Sequence, residues 1–272
     1  MAPARVGIHL RGGLGNRLFA VAAAYGQAEA SGRKCCITGV EAAAHCGKDF
    51  SDTVFSKFEI YPLVGAEPTG VWTEPANRCL CYDGPVDARV PRDTSILLSG
   101  YFQNEKYLEG RKADFVSLLN LPAVPVESGA LFVHVRRGDY VGIPLHAVDL
   151  SRYFTRALTL AHATFGTRLE RILLFSDDPA WAVARRGDFG VNQNVEVVDE
   201  PNETVALSRM AACELGGVCA NSTFSWWGAY LGFKVGKFVT FPDTWFNFAP
   251  ETGGVPFVDD VAFAGSVRVA CA

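Results

Sequence analysis

LFVHVRRGDYV, residues 131–141, begins as a buried strand and ends in two adjacent arginines, a glycine and an aspartate. The apolar run Leu131–Val135, broken only by His134, is of the kind that lies in a parallel sheet covered on both faces. Neighbouring guanidiniums repel, so an anion between them would explain the pair. Side chains alternate along a strand, which puts Arg136 on the face of His134 and turns Arg137 to the other. One guanidinium can then fork onto a phosphate while the other braces a carboxylate. That makes Arg136 the phosphate candidate and Arg137 the structural one. A plainer reading leaves Arg137 and Asp139 as a surface ion pair.

Strands of the same kind recur on either side, with helical stretches between them. RVGIHL (5–10), KCCITGV (34–40) and SILLSGY (95–101) precede the opening stretch, with helices predicted over 16–30 and 103–119. RILLFSD (171–177), VEVVDE (195–200), GGVCANS (216–222) and KFVTFP (237–242) follow it, with helices near 151–165, 179–186, 203–215 and from 223. LPAVPVESG (121–129) interrupts the alternation with prolines and a glycine, as a domain joint does. The fold class predicted is therefore α/β, with two Rossmann-like domains whose parallel sheets face a central cleft. The domains are 1–124 and 125–245. The tail, 246–272, with Phe246 and Phe248 near its start, has no strong period and is expected to pack back on the N-terminal domain.

Bulk properties narrow the classes. At 49% hydrophobic and 20% charged, the 272-residue chain has enough apolar content for a sizeable core. Its net charge of −4 gives no global field toward nucleic acid, so any anion site must be local. The start, MAPARVGIHL, has no cationic region or long apolar segment, and no apolar run reaches membrane-spanning length. A cytoplasmic chain without a membrane span is expected. The eight cysteines lie mostly in apolar surroundings, and Cys79 and Cys81 form only a lone C-x-C. They read as free, small hydrophobes, with no metal site.

In an open α/β sheet, ligands sit at the carboxyl ends of the strands. Three further stretches fall there. RGGLGNRLF (11–19) brings Gly12, Gly13 and Gly15 and then Asn16 to a helix start, where backbone amides can meet an anion. It matches neither a Walker A loop nor G-x-G-x-x-G. FSDDP (175–179) sets Asp177 and Asp178 at a strand end, with Pro179 at the first helical position. Asp178 then reads as an N-cap, or as a carboxylate accepting from a guanine edge. NSTFSWWGAYLG (221–232) offers Asn221, Ser222, Thr223, Phe224 and Ser225 at another helix start, a seat for phosphate oxygens. Behind them Trp226, Trp227 and Tyr230 are core packing or a sugar platform. No nucleophilic triad is visible, and His9, His45, His146 and His162 lack matched partners in sequence.

Together, GGLGNRLFAVAAAYGQA, HVRRGDYV, FSDDPAW and NSTFSWWGAYLG, in this order, resemble glycosyltransferase family 11, the α-1,2-fucosyltransferases. The resemblance runs over about residues 6 to 245. It implies a GT-B-like fold, GDP-β-L-fucose as donor, a glycan acceptor, inversion at the anomeric carbon and no metal or other cofactor. Carried over by position, Arg136 would hold the β-phosphate with His134 beside it. Asn16 would reach the transferring fucose or phosphate, Asp178 or Asp177 would read guanine, and Asn221–Ser225 would line the pyrophosphate, with Gly13 and Gly15 on the donor side. Asp139 is the candidate base, its plainer role being to pair with Arg137 or cap the next turn. Arg17 and Ala20 depart from the family's usual glycine-loop pattern, which puts the change on the acceptor side. The alternatives are a GDP-sugar transferase of another sugar or linkage, and a non-catalytic nucleotide- or glycan-binding module.

Overall fold

The computed structural model describes residues 3–41, 48–63, 69–75, 80–82, 84–85, 90–190, 194–247 and 261–272. His45, Cys79 and Phe248 lie outside them. The chain divides into two compact units, Met1–Leu121 and Pro122–Ala272, with the break inside the proline-rich joint. Each unit is an α/β layer built on one parallel sheet. No described helix is long and apolar enough to cross a membrane.

The N-terminal unit contains β1 (Arg5–Leu10), α1 (Leu14–Ser31), β2 (Lys34–Val40), β3 (Glu59–Ile60), β4 (Thr69–Thr73) and β5 (Ser95–Ser99). Its strands lie in the order β3-β2-β1-β5-β4, all parallel. The chain steps outward from β1 to β3 and then returns to lay β5 on the other side of β1. The gap between β1 and β5 is therefore the point where strand order reverses, the place such sheets use for ligands. The single helix predicted over 103–119 is instead a 3-10 turn, Glu105–Leu108, and α2 (Lys112–Leu118). Gly110 between them sits at φ 72, a left-handed conformation that ends the first piece. β3 and β4 are too short, or too broken by glycine and threonine, to show a period in sequence.

The C-terminal unit contains β6 (Ala130–Val135), α3 (Ser151–Phe165), β7 (Arg171–Ser176), α4 (Pro179–Arg185), β8 (Asn194–Val198) and α5 (Glu203–Ala212). It continues with β9 (Gly216–Val218), α6 (Thr223–Gly232), β10 (Phe238–Pro242) and β11 (Val267–Val269). The sheet order is β11-β10-β9-β6-β7-β8, again all parallel. Here the reversal falls between β6 and β9, so the residues after β6 and those opening α6 share one sheet edge.

Two packing constraints hold that edge in place. On one face, Leu131, Val133 and Val135 join Tyr153, Ala157 and Leu158 of α3 in a core with Ile172 and Leu174 of β7. On the other, the Phe132 ring lies so close to β9 that a Cβ on Gly217 would stand 2.1 Å from it. This close approach is why Gly217 is glycine, while Gly216 is one because of its φ of 102 and the Phe238 backbone oxygen, 2.0 Å from where a Cβ would stand. Trp226 and Trp227 are fully buried, with Trp226 stacked on Tyr230 at 4.5 Å. They are core residues, and the sugar-platform reading is set aside.

The tail differs from expectation. Its described part, 261–272, belongs to the C-terminal unit: β11 pairs with β10, and Trp226 Nε1 donates to Val261 O at 2.6 Å. An edge strand with open hydrogen-bonding groups, β10, supplies the nearer template. Of the described cysteines, Cys36, Cys213 and Cys219 are buried, and none is in a disulfide.

Tyr153 is fully buried, and its hydroxyl donates to Cys219 O at 2.7 Å and lies 3.0 Å from Thr240 O, tying α3 to β9 and β10. Tyr153→Phe should cost about 1–2 kcal/mol. Urea denaturation of the full chain would measure it.

Candidate functional site

β6 ends at Val135, so Arg136 and Arg137 are the first residues past the sheet edge. Val135 lies opposite Ser176 of the neighbouring β7, which brings Asp177 and Asp178 alongside the arginines. Arg136 Nη1 pairs with Asp177 Oδ2 at 2.9 Å, and Arg136 Nη2 donates to Asp139 Oδ1. Arg137 turns the other way, its Nε donating to Asp178 Oδ2 at 3.1 Å and its guanidinium lying 4.5 Å from the Trp181 ring centre. Two cations thus stand against three carboxylates. Asp139 pairs with Arg136, not with Arg137 as the plainer sequence reading had it. The one-turn helix Gly138–Gly142 carries Asp139 back over Arg136, three residues behind it.

Asp177 also fixes the backbone. Its Oδ1 accepts from Arg137 N at 2.7 Å, and a Cβ on Gly138 would stand 2.3 Å from its Oδ2. Gly138 is therefore needed for space. Asp178 caps α4, accepting from Trp181 N at 3.0 Å. That bond, then the Arg137 guanidinium, holds its carboxyl below the usual range. Each oxygen has one partner, so Asp178 is the helix cap, and a second lone pair on each leaves the guanine-edge reading open.

His134 is buried at the end of β6, its ring 5.7 Å from Phe224 in the first turn of α6. Burial, and secondarily the Arg136 charge, pushes its pKa down to about 3. Its Nδ1 has no hydrogen-bond partner among the described residues. At the start of α6, Ser222 accepts from Phe224 N at 3.3 Å as N-cap, and Thr223 is part exposed. Two of the predicted pyrophosphate residues have other duties. Asn221 donates to His146 O at 3.1 Å and Trp245 O at 3.0 Å, tying two loops together. Ser225 is fully buried and donates to Ser222 O at 3.2 Å.

At the reversal point of the N-terminal unit, Gly12 sits at φ 72, while Gly13 is the N-cap of α1 and Gly15 lies within that helix. Asn16 Oδ1 accepts from Gln103 Nε2 at 3.1 Å, joining the first turn of α1 to the segment after β5. Arg17 is 1% exposed and donates to Gly12 O at 2.9 Å. Its expected place on the acceptor side is corrected: its side chain is an internal brace of the loop. His9 is exposed on β1, beside a register shift against β2.

Several residues carried no signal in sequence. Tyr140, whose ring lies 5.2 Å from the Arg136 guanidinium, stacks on His146 at 4.5 Å, and Phe246 lies tilted 5.4 Å from His146. Burial raises the Tyr140 hydroxyl to about 12 and lowers His146. In the N-terminal unit, Glu74 accepts from Tyr101 N at 2.7 Å and Phe102 N at 2.9 Å, and Phe102 is held at φ 51. A left-handed phenylalanine cannot be read from residue type. Among the described residues, no group of three or more His, Cys, Asp or Glu side chains is placed to hold a metal ion.

The model of the family described as Glycosyl transferase family 11 matches residues 100–247, more than half of the chain. An Escherichia coli alpha-1,2-colitosyltransferase is 27% identical over 169 residues, covering 56% of this chain and 57% of that protein. A Caenorhabditis elegans galactoside 2-alpha-L-fucosyltransferase is 29% identical over 244 residues, covering 80% and 66%. The chain thus matches less than two thirds of the length of either relative. The structure of a mutant of Arabidopsis thaliana FUT1 in complex with GDP superposes with a TM-score of 0.49 at 13% identity, covering 84% of this chain and 69% of that one.

Gly138→Ala should cost about 1–3 kcal/mol in a denaturant titration, because the new methyl forces Asp177 aside. His134 should remain neutral well below its ordinary range. The unfolded imidazole binds a proton near 6.5 and the folded one only near 3, so stability falls as pH drops from about 6.5 toward 3. The lowered His146 acts in the same direction. An imidazole NMR titration showing His134 protonated at pH 5 would contradict this.

Proposed function

We propose that this chain, which belongs to glycosyltransferase family 11, transfers L-fucose from GDP-β-L-fucose to a glycan hydroxyl. The hydroxyl is O2 of a terminal galactose or similar sugar, the product is α-1,2-linked, and the reaction inverts the anomeric carbon without a metal. The family supports the reaction class, and the names of the two relatives support the linkage. One observation carries the donor site: Arg136, neutral His134 and the opening of α6 share the reversal point between β6 and β9. A guanidinium and helix-terminal amides are the groups that stabilise a leaving pyrophosphate, and they do so more strongly as its charge grows.

In the proposed step, the acceptor oxygen forms its bond to the anomeric carbon as the bond to the β-phosphate oxygen breaks. The electron pair leaves with GDP. The acceptor proton passes to a carboxylate, which we assign to Asp139. Arg136 meets the β-phosphate, with Ser222 and Thr223 at the remaining oxygens through the α6 terminus. Asp177 and Arg137 hold the turn in shape. The reading gives the acceptor to the N-terminal unit. The colitosyltransferase relative supports a second reading, in which the transferred sugar is colitose rather than fucose.

Calorimetric titration with EDTA present tests the donor. Wild type should bind GDP and GDP-fucose, and Arg136→Ala should lose GDP and lower kcat by about 100- to 1000-fold. Equal GDP binding by both would make the arginine structural and remove the mechanism. Slow release of GDP from GDP-fucose without acceptor separates an enzyme from a binding module.

A further inference from the structure

The reversal point of the N-terminal unit holds a cation of its own. β1 and β5 pair with Ile8 opposite Leu98, and that register, carried three residues on, sets Arg11 level with Tyr101. The Arg11 guanidinium lies over the Tyr101 ring, 4.9 Å from its centre. A ring face attracts the cation but leaves its five N–H donors to be met by water or by a ligand oxygen. Arg11 is half-buried, yet among the described residues neither a carboxylate nor a carbonyl oxygen bonds it. Every other described arginine that is buried or half-buried gives an N–H to one or the other.

The surroundings of Arg11 add positive charge and donors. α1 starts at once after the Gly12–Gly13 turn, with no acidic residue in its first turn and no side-chain cap. Arg17, the second guanidinium of this loop, donates to Gly12 O and Lys48 O, so its bonds go to carbonyls. Asp49, which feels the Arg17 charge, is exposed and accepts from Ser51 N. Glu74 is buried and accepts from Tyr101 N at 2.7 Å and Phe102 N at 2.9 Å. Those bonds fix the turn that carries Tyr101, and a Cβ on Gly100 would stand 2.4 Å from the Glu74 Cβ. The ring beneath Arg11 is therefore set in place before any ligand arrives. Gln103 Nε2 gives one hydrogen to Asn16 Oδ1 and keeps a second at the same edge.

We propose that Arg11, seated on Tyr101, binds a carboxylate of the acceptor, so that the glycan taken by the N-terminal unit carries an acidic sugar of the uronic-acid class. One planar guanidinium offers two parallel N–H donors, which match the two oxygens of a carboxylate. A phosphate dianion ordinarily collects more than one cation, and the donors of Arg17 are turned inward. The inference rests on the proposed function only in calling the ligand an acceptor. The carboxylate site itself stands on the geometry of one unit.

The test is calorimetric titration of the full chain with lactose and with galactosyl-β-1,4-glucuronate, which differ by a hydroxymethyl group replaced with a carboxylate. Wild type should bind the acidic disaccharide about tenfold more tightly at low salt, and the preference should shrink as salt is raised. Arg11→Gln should bring it level with lactose. Arg11→Lys should keep only part of the preference, because an ammonium does not fork onto a carboxylate. Equal binding of the two sugars by wild type, or no binding of the acidic one, would overturn the proposal without recourse to any variant. A preference that survives Arg11→Gln in the folded chain would overturn it as well. GDP titration separates the two sources of an anion: its affinity should be the same in wild type and Arg11→Gln. A matching loss of GDP binding would make Arg11 a ligand of the donor's phosphate and refute the inference. If wild type binds the acidic disaccharide through Arg11 but does not bind GDP, the transferase reading fails and the carboxylate site stands.

Discussion

Two guanidiniums on consecutive residues are the constraint around which the C-terminal unit is arranged. Like charges so placed repel, and here the two guanidiniums are met by three carboxylates. Two of them come from β7, and they arrive only because β7 pairs with β6 in the register that sets Ser176 against Val135. The third comes from the chain's own next turn. Sheet order, strand register and the glycine at 138 thus all bear on one electrostatic requirement. The surrounding core, from Leu131 to Tyr153 and Ile172, keeps the two strand ends level.

Both units use the same topological device. In each, the chain moves outward over three strands and then returns to the other side of the first, leaving a reversal point flanked by two strand ends. Each reversal point is closed by contacts between residues far apart in sequence. Gln103 meets Asn16 in the N-terminal unit, and His134 meets Phe224 in the C-terminal one. Helix starts sit at both points, so exposed amides are present wherever the sheet opens.

Much of this was legible in the sequence because parallel strands buried on both faces are continuous apolar runs. β1 and β2 could be bounded to the residue on that basis. The arginine pair was legible because charge at the end of such a run is rare. Other features were hidden for physical reasons. Short β3 and β4 have no room for a period, and the left-handed Phe102 depends on the Glu74 carboxylate from a distant strand. Asn221 and Ser225 have the residue types of an anion site, yet their side chains serve the backbone. Residue type gives what a side chain can bind, and the fold decides whether that capacity is already used. The pairing of Asp139 with Arg136 could not be told from pairing with Arg137, because the direction of the turn after β6 decides it.

The return of β5 to β1 has a consequence for biosynthesis. Arg5 N is bonded to Ser95 Oγ across 90 residues of chain, and the strands there are parallel neighbours. A ribosome adding roughly 5–20 residues per second needs on the order of 5–20 seconds to deliver β5 after β1 has emerged. During that interval the side of β1 destined for β5, from Val6 to Ile8, presents an unpaired edge, and no local hairpin can shield it. The N-terminal unit is therefore most exposed to misassembly while it is being made, and a pause in translation before residue 95 would lengthen the exposure directly.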